Sequence, residues 1–129
     1  MKPSVVLLYT RDQTFDQVLA GALLGTGTII LIARSVGDAL QIVRRWGREL
    51  DFAVLDFNDG CRGMALLSAL DTCWDKLPTL VVTPKDLEHE SAVAYANGAR
   101  VCLTKPLAGG LLANAIADLH SSHSQLVVA

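Results

Sequence analysis

Three side chains of different chemistry follow three short apolar runs. Asp56 follows Phe52–Leu55, Thr83 follows Leu80–Val82, and Lys105 with Pro106 comes just after Val101–Leu103. A further run, Val5–Tyr9, leads into Thr10, Arg11 and Asp12. If these runs are neighbouring parallel strands, a carboxylate, a hydroxyl and an ammonium group converge on one edge of a sheet. Functional groups collect at that edge in doubly wound sheets. An anionic oxygen, a hydroxyl donor and a fixed positive charge are the makings of a small polar site. Thr83 alone would be an ordinary strand residue, and Lys105 alone a surface lysine. Their weight comes from standing in register with Asp56, a lone acid after a strongly apolar run.

Positioning these groups takes alternating strands and helices. The apolar runs begin at Val5, Ile29, Phe52, Leu80 and Val101, with stretches of helical period between them. Phe15, Val18, Leu19, Ala22 and Leu23 form one apolar stripe. Ser35 stands where a second helix would be capped, with Asp38 three residues on. The core face of that helix is Val36, Ala39, Leu40, Val43, Trp46 and Leu50. Gln41, Arg44, Arg45 and Arg48 point to water. A third helix is expected over 63–74, before Pro78, and a fourth over 86–97, closed by Gly98. The fifth spans 107–120, its first turn weakened by Gly109 and Gly110. Five strand–helix units with right-handed crossovers make an α/β, doubly wound, five-stranded parallel sheet covered on both faces. One domain over 1–120 and a short tail over 121–129 are expected.

The 129 residues suffice for one domain. Eleven Lys and Arg against thirteen Asp and Glu give a net charge of −2, which disfavours a nucleic-acid partner. Hydrophobic residues at 51% and charged residues at 19% exclude disorder. Aromatics at 5% leave the core to Val, Leu, Ile and Ala, a composition suited to a buried parallel sheet. No apolar run approaches the ~18 residues of a membrane span, and Val5–Tyr9 is short of the roughly 7–15 residues of a signal-peptide core. No membrane partner and a cytoplasmic location are therefore expected. Cys61, Cys73 and Cys102 lack CxxC spacing, and His89, His120 and His123 do not complete a zinc site. Reduced thiols are the reading adopted. Trp46 and Trp74 are packing residues at helical spacing.

Residues 4 to about 120 resemble the receiver domain of two-component response regulators. The carriers are Asp56 in FAVLDFN, Thr83 in LPTLVVT and Lys105 in GARVCLTKPL, in that order. The resemblance implies a flavodoxin-like sheet of order 2-1-3-4-5 and a role in phosphorelay signalling. Asp56 would accept a phosphoryl group from the phosphohistidine of a histidine kinase or phosphotransfer protein. Lys105 would offset the charge of the acyl phosphate, and Thr83 would donate to a phosphoryl oxygen. A Mg²⁺ ion would be held by Asp56, the backbone carbonyl of Asn58 and an acidic residue after the first strand. The resemblance also implies a cis Lys105–Pro106 bond. Output would pass through the fourth helix, fifth strand and fifth helix to a downstream protein or a second copy of the chain.

The chain departs from the family pattern at the metal. Members place an acidic pair directly after the first strand, its second member a metal ligand. If Phe15, Leu19 and Leu23 keep their core positions, that pair falls on Thr10 and Arg11, and Asp12 comes one place late. A guanidinium repels Mg²⁺ and is able to pair with Asp56. At this stage Arg11 is either that partner or a solvated strand-end arginine, and a slip of one residue would make Asp12 the ligand. A weakly held Mg²⁺ ion at most is expected. Pro84 stands where a small residue is usual, Cys102 where many members carry a switching aromatic, and Gly60 where a proline is frequent.

Two other classes compete. A pseudo-receiver would keep the fold as a protein-interaction module regulated without phosphorylation. An aspartyl phosphatase of the haloacid dehalogenase type would carry a second Asp two residues after the nucleophile, where this chain has Asn58, so an enzyme is not expected. A flavodoxin would need a phosphate loop rich in Ser, Thr and Gly after the first strand, and none is there.

Overall fold

Alternate residues of each strand face opposite ways, so a strand buried on both faces must be apolar at every position. Val5–Tyr9 (β1), Phe52–Asp56 (β3) and Thr79–Thr83 (β4) are buried throughout and depart from that condition only at the strand-end residues Asp56, Thr79 and Thr83. In a computed structural model, which describes residues 3–57, 61–73, 77–84, 90–107 and 110–128, they occupy the centre of a five-stranded parallel sheet. Ile29–Ala33 (β2) and Val101–Thr104 (β5) are its half-buried edges, and the order is β2-β1-β3-β4-β5, as expected. β1 pairs with β3 through Tyr9 and Leu55, which brings Thr10 beside Asp56.

Among the described residues, five α-helices cover the sheet: Gln13–Ala22 (α1), Val36–Trp46 (α2), Cys61–Cys73 (α3), Glu90–Ala96 (α4) and Leu111–Val128 (α5). One core layer sets Val6, Leu8, Val54, Leu80 and Val82 against Phe15 and Leu19 of α1 and Leu112, Ile116 and Leu119 of α5. The other sets Leu7, Tyr9, Leu55 and Val81 against Ala39 and Val43 of α2, Leu66, Leu67 and Leu70 of α3, and Ala94 of α4. The split follows the two-residue period of the strands.

Local signals account for several element ends. The Ser35 side chain accepts the Asp38 N–H at 3.0 Å and caps α2, and Gln41, Arg44, Arg45 and Arg48 are exposed. Gly98 follows α4 with φ +109, a conformation other residues reach only under strain. Val18, expected in the core stripe of α1, is instead 42% exposed beside the groove between α1 and α5.

The fifth helix differs most from expectation. It starts at Leu111 rather than 107, because Gly110 is a poor place to begin, and it runs past His120 to Val128. Ser121–Val128 holds no Gly or Pro to stop it, so the backbone expected as a tail continues the helix. Trp74 and the start of the expected fourth helix, 86–89, lie outside the described residues. Among those residues, no helix is long and apolar enough to cross a membrane.

Candidate functional site

Asp56 ends the central strand β3 and is 2% exposed. A carboxylate so deep in a protein needs partners, since its desolvation is otherwise costly. Two come from the ends of other strands, β1 and β5. The Lys105 ammonium reaches Oδ1 at 2.8 Å, with its own side chain 26% exposed. The Thr10 hydroxyl donates to Oδ2 at 2.6 Å, a short bond of the charge-assisted kind. Lys105 follows β5, is joined to Pro106 by a cis peptide bond as expected, and lies 5.2 Å from the centre of the Phe15 ring. A cleft of about 410 Å³ opens beside it, lined by Asp12, Thr14, Phe15, Val18 and Leu107 among others.

Thr10 itself is completely buried and held from several sides. Its N–H donates to the carbonyl of Ala33, at the end of β2, at 3.1 Å. Its carbonyl accepts from Arg34 Nη1 at 3.1 Å, and the same guanidinium forks onto the carboxylate of Asp16 in α1. Hydrogen bonding to Asp16 raises the pKa of Arg34, so the guanidinium in this tie stays charged. Sequence reasoning placed Thr10 at the site edge but missed both its bond to Asp56 and the role of Arg34. The available signal was a lone arginine directly after the Ile29–Ala33 run.

The other expected residues fall into place unevenly. Thr83 is buried at the end of β4, its hydroxyl donating to the Leu103 carbonyl and meeting Thr104 Oγ1, each at 3.4 Å. Those bonds run toward β5. Asp12 caps α1, its Oδ1 accepting the Thr14 N–H at 2.9 Å. Arg11 is exposed. Asn58 and Gly60 lie outside the described residues. Cys102 is half-buried; its N–H donates to the Tyr95 hydroxyl of α4 at 3.0 Å, and burial pushes its thiol up to about 11.

Among the described residues, the donor set offers a divalent cation little. Mg²⁺ asks for octahedral oxygen ligands, usually with one or two carboxylates. Asp56 already meets an ammonium and a hydroxyl, and the Asp12 carboxylate serves α1. Among the described residues, no three His, Cys, Asp or Glu side chains gather into a metal-binding group.

The same arrangement of strands recurs in solved structures. A response regulator receiver domain protein from Clostridium thermocellum superposes with a TM-score of 0.84 at 21% identity, covering 95% of this chain and 98% of that one. The fold is the receiver fold. A receiver domain protein described as CheY-like, from Methanospirillum hungatei JF-1, gives 0.82 at 18% identity, over 96% and 98% of the two chains. The signal receiver domain of an HD domain-containing protein from Pseudomonas fluorescens Pf-5 gives 0.81 at 18%, over 97% and 92%. No family model matches the chain, and no curated protein matches it by sequence. On the receiver fold the edge holding Asp56, Thr10, Thr83 and Lys105 is the carboxyl edge of the sheet, where ligands of doubly wound sheets bind.

Proposed function

We propose that the chain is a signalling module of the receiver kind in which Asp56 takes a phosphoryl group from the phosphohistidine of a histidine kinase or phosphotransfer protein. The observation that carries the proposal is the Lys105 ammonium 2.8 Å from an oxygen of the buried Asp56 carboxylate. In the transfer a carboxylate oxygen attacks phosphorus, the new O–P bond forms, and the P–N bond to imidazole breaks. The imidazole nitrogen leaves with the electron pair and takes a proton from water. Lys105 balances the charge that then sits on the phosphoryl oxygens. Thr83, whose present bonds are long at 3.4 Å, loses little by turning its hydroxyl inward to donate to one of them. No step is assigned to Mg²⁺, and the reaction is expected to be slow. Output would pass to a downstream protein, or to a second copy, over α4, β5 and α5, where Val93 and Tyr95 stand about half exposed. The proposed setting is the cytoplasm.

The test is incubation with acetyl phosphate followed by intact mass. Wild type should gain one phosphoryl group, and Asp56→Asn should gain none while keeping its fold. Full modification of the variant would refute the assignment. A second reading, a pseudo-receiver that binds its partner without phosphorylation, is favoured by the Thr10 hydroxyl seated on Oδ2. It takes over if wild type gains no mass at all.

A further inference from the structure

We infer that Thr10 is a positioning residue that restrains Asp56: its hydroxyl grips the resting carboxylate and has to let go as a phosphoryl group is taken. The inference rests on the reading of Asp56 as phosphoacceptor and names the residue that sets its reactivity.

A hydroxyl has one proton and two lone pairs. One lone pair of Thr10 Oγ1 accepts the Asp12 N–H at 3.0 Å. The proton has two acceptors in reach, Asp56 Oδ2 at 2.6 Å and the Asp12 carbonyl at 3.4 Å. The shorter contact is to a carboxylate that also meets Lys105, so the resting proton belongs to Asp56. The residue behind this hydroxyl cannot follow a moving partner. Its backbone is tied to Ala33 and Arg34, Arg34 is tied to Asp16, and none of Thr10 is exposed.

The sign of the effect follows from where charge goes. With acetyl phosphate as donor, a carboxylate oxygen of Asp56 forms the bond to phosphorus. The P–O bond to the acetyl group breaks, and acetate leaves with its electron pair. The carboxylate gives up its negative charge as the acyl phosphate forms, and each donor bound to it weakens. Lys105, on a flexible stem and partly exposed, is able to transfer its grip to the phosphoryl oxygens. Thr10 is not. An interaction stronger in the ground state than in the transition state slows the reaction. Once released, the Thr10 proton finds the Asp12 carbonyl, which keeps the buried hydroxyl paired and links the state of Asp56 to the first turn of α1.

Thr10→Val keeps the β-branched shape and removes the donor. Its mass gain under acetyl phosphate should run about tenfold faster than wild type, the factor expected for losing one modest charge-assisted bond. Thr10→Ser should bring the rate back toward wild type. Modification of Asp56 in Thr10→Val at a rate equal to or below wild type overturns the inference and leaves the reading of Asp56 standing. No mass gain in wild type, Thr10→Val or Thr10→Ser overturns both. Because Thr10→Val also strips the Asp12 N–H of its acceptor and costs stability, a second measurement uses the unaltered protein. Proton NMR should resolve a Thr10 hydroxyl proton that exchanges slowly with water and disappears in Asp56→Ala. Its absence from the wild-type spectrum overturns the inference.

Discussion

At the scale of single residues, the site is one buried carboxylate and the groups that make its burial tolerable. Removing one partner of such a pair leaves the other exposed to the full desolvation cost. Lys105→Met should destabilise the fold by about 1–3 kcal/mol in urea titration, less than for a fully buried pair because the ammonium end is partly solvated. Combining it with Asp56→Asn should recover much of that loss, since the charge in need of compensation is then gone. Additive losses in the double variant would show that Lys105 contributes packing and not charge. Arg11 supports a second prediction. If it occupies the place of a metal ligand, wild type should bind Mg²⁺ feebly, and Arg11→Asp should bind it more tightly by removing a repelling charge and adding an oxygen donor. Magnesium titration of both proteins followed by NMR shifts decides it, and equal affinities would mean that Asp12 is the ligand.

At the scale of elements, the site depends on how β3 meets α3 and how β5 meets α4. Phe57 follows Asp56 and packs its ring over Gly63 of α3, where an added Cβ would come within 2.3 Å of a ring carbon. Gly63→Ala should therefore push Phe57 out of place and cost about 1–3 kcal/mol, measured by thermal or urea unfolding. At the other seam, the Cys102 thiol donates to the Ser91 carbonyl at 3.7 Å, and burial holds its pKa near 11 against an ordinary value of 9.0. The folded state then keeps a proton that the unfolded chain releases. Its contribution to stability is complete below about pH 9.0 and is lost as pH rises through about 11. Unfolding free energies measured between those values should fall with pH, and Cys102→Ala should remove that part of the slope. The strands and the capped start of α2 were legible because short apolar runs and a Ser–Asp cap are local signals. The Tyr95 bond to β5 was not, because nothing near position 95 marks a partner seven residues away on another element.

For the molecule as a whole, a parallel, doubly wound sheet was legible from run spacing and the handedness of crossovers, and its strand order from the resemblance to receiver domains, and with them the edge on which the polar residues meet. What stayed hidden was the pairing at that edge. Thr10 reaches Asp56 only because the β1–β3 register sets Tyr9 opposite Leu55, a fact no local pattern encodes. Arg34 was hidden for the same reason, since its partners come from β1 and α1. The length of α5 was misread because the absence of a stop signal is weaker than the presence of one. All of this bears on one claim, that Asp56 is a phosphoacceptor served by Lys105 without the usual cation. The most direct measurement is the time course of acetyl phosphate modification of wild type, with and without Mg²⁺, followed by intact mass and peptide mapping. The account predicts slow gain of a single phosphoryl group on Asp56 at nearly the same rate in both conditions. A rate that rises steeply with Mg²⁺, or a group found on any other residue, would contradict it.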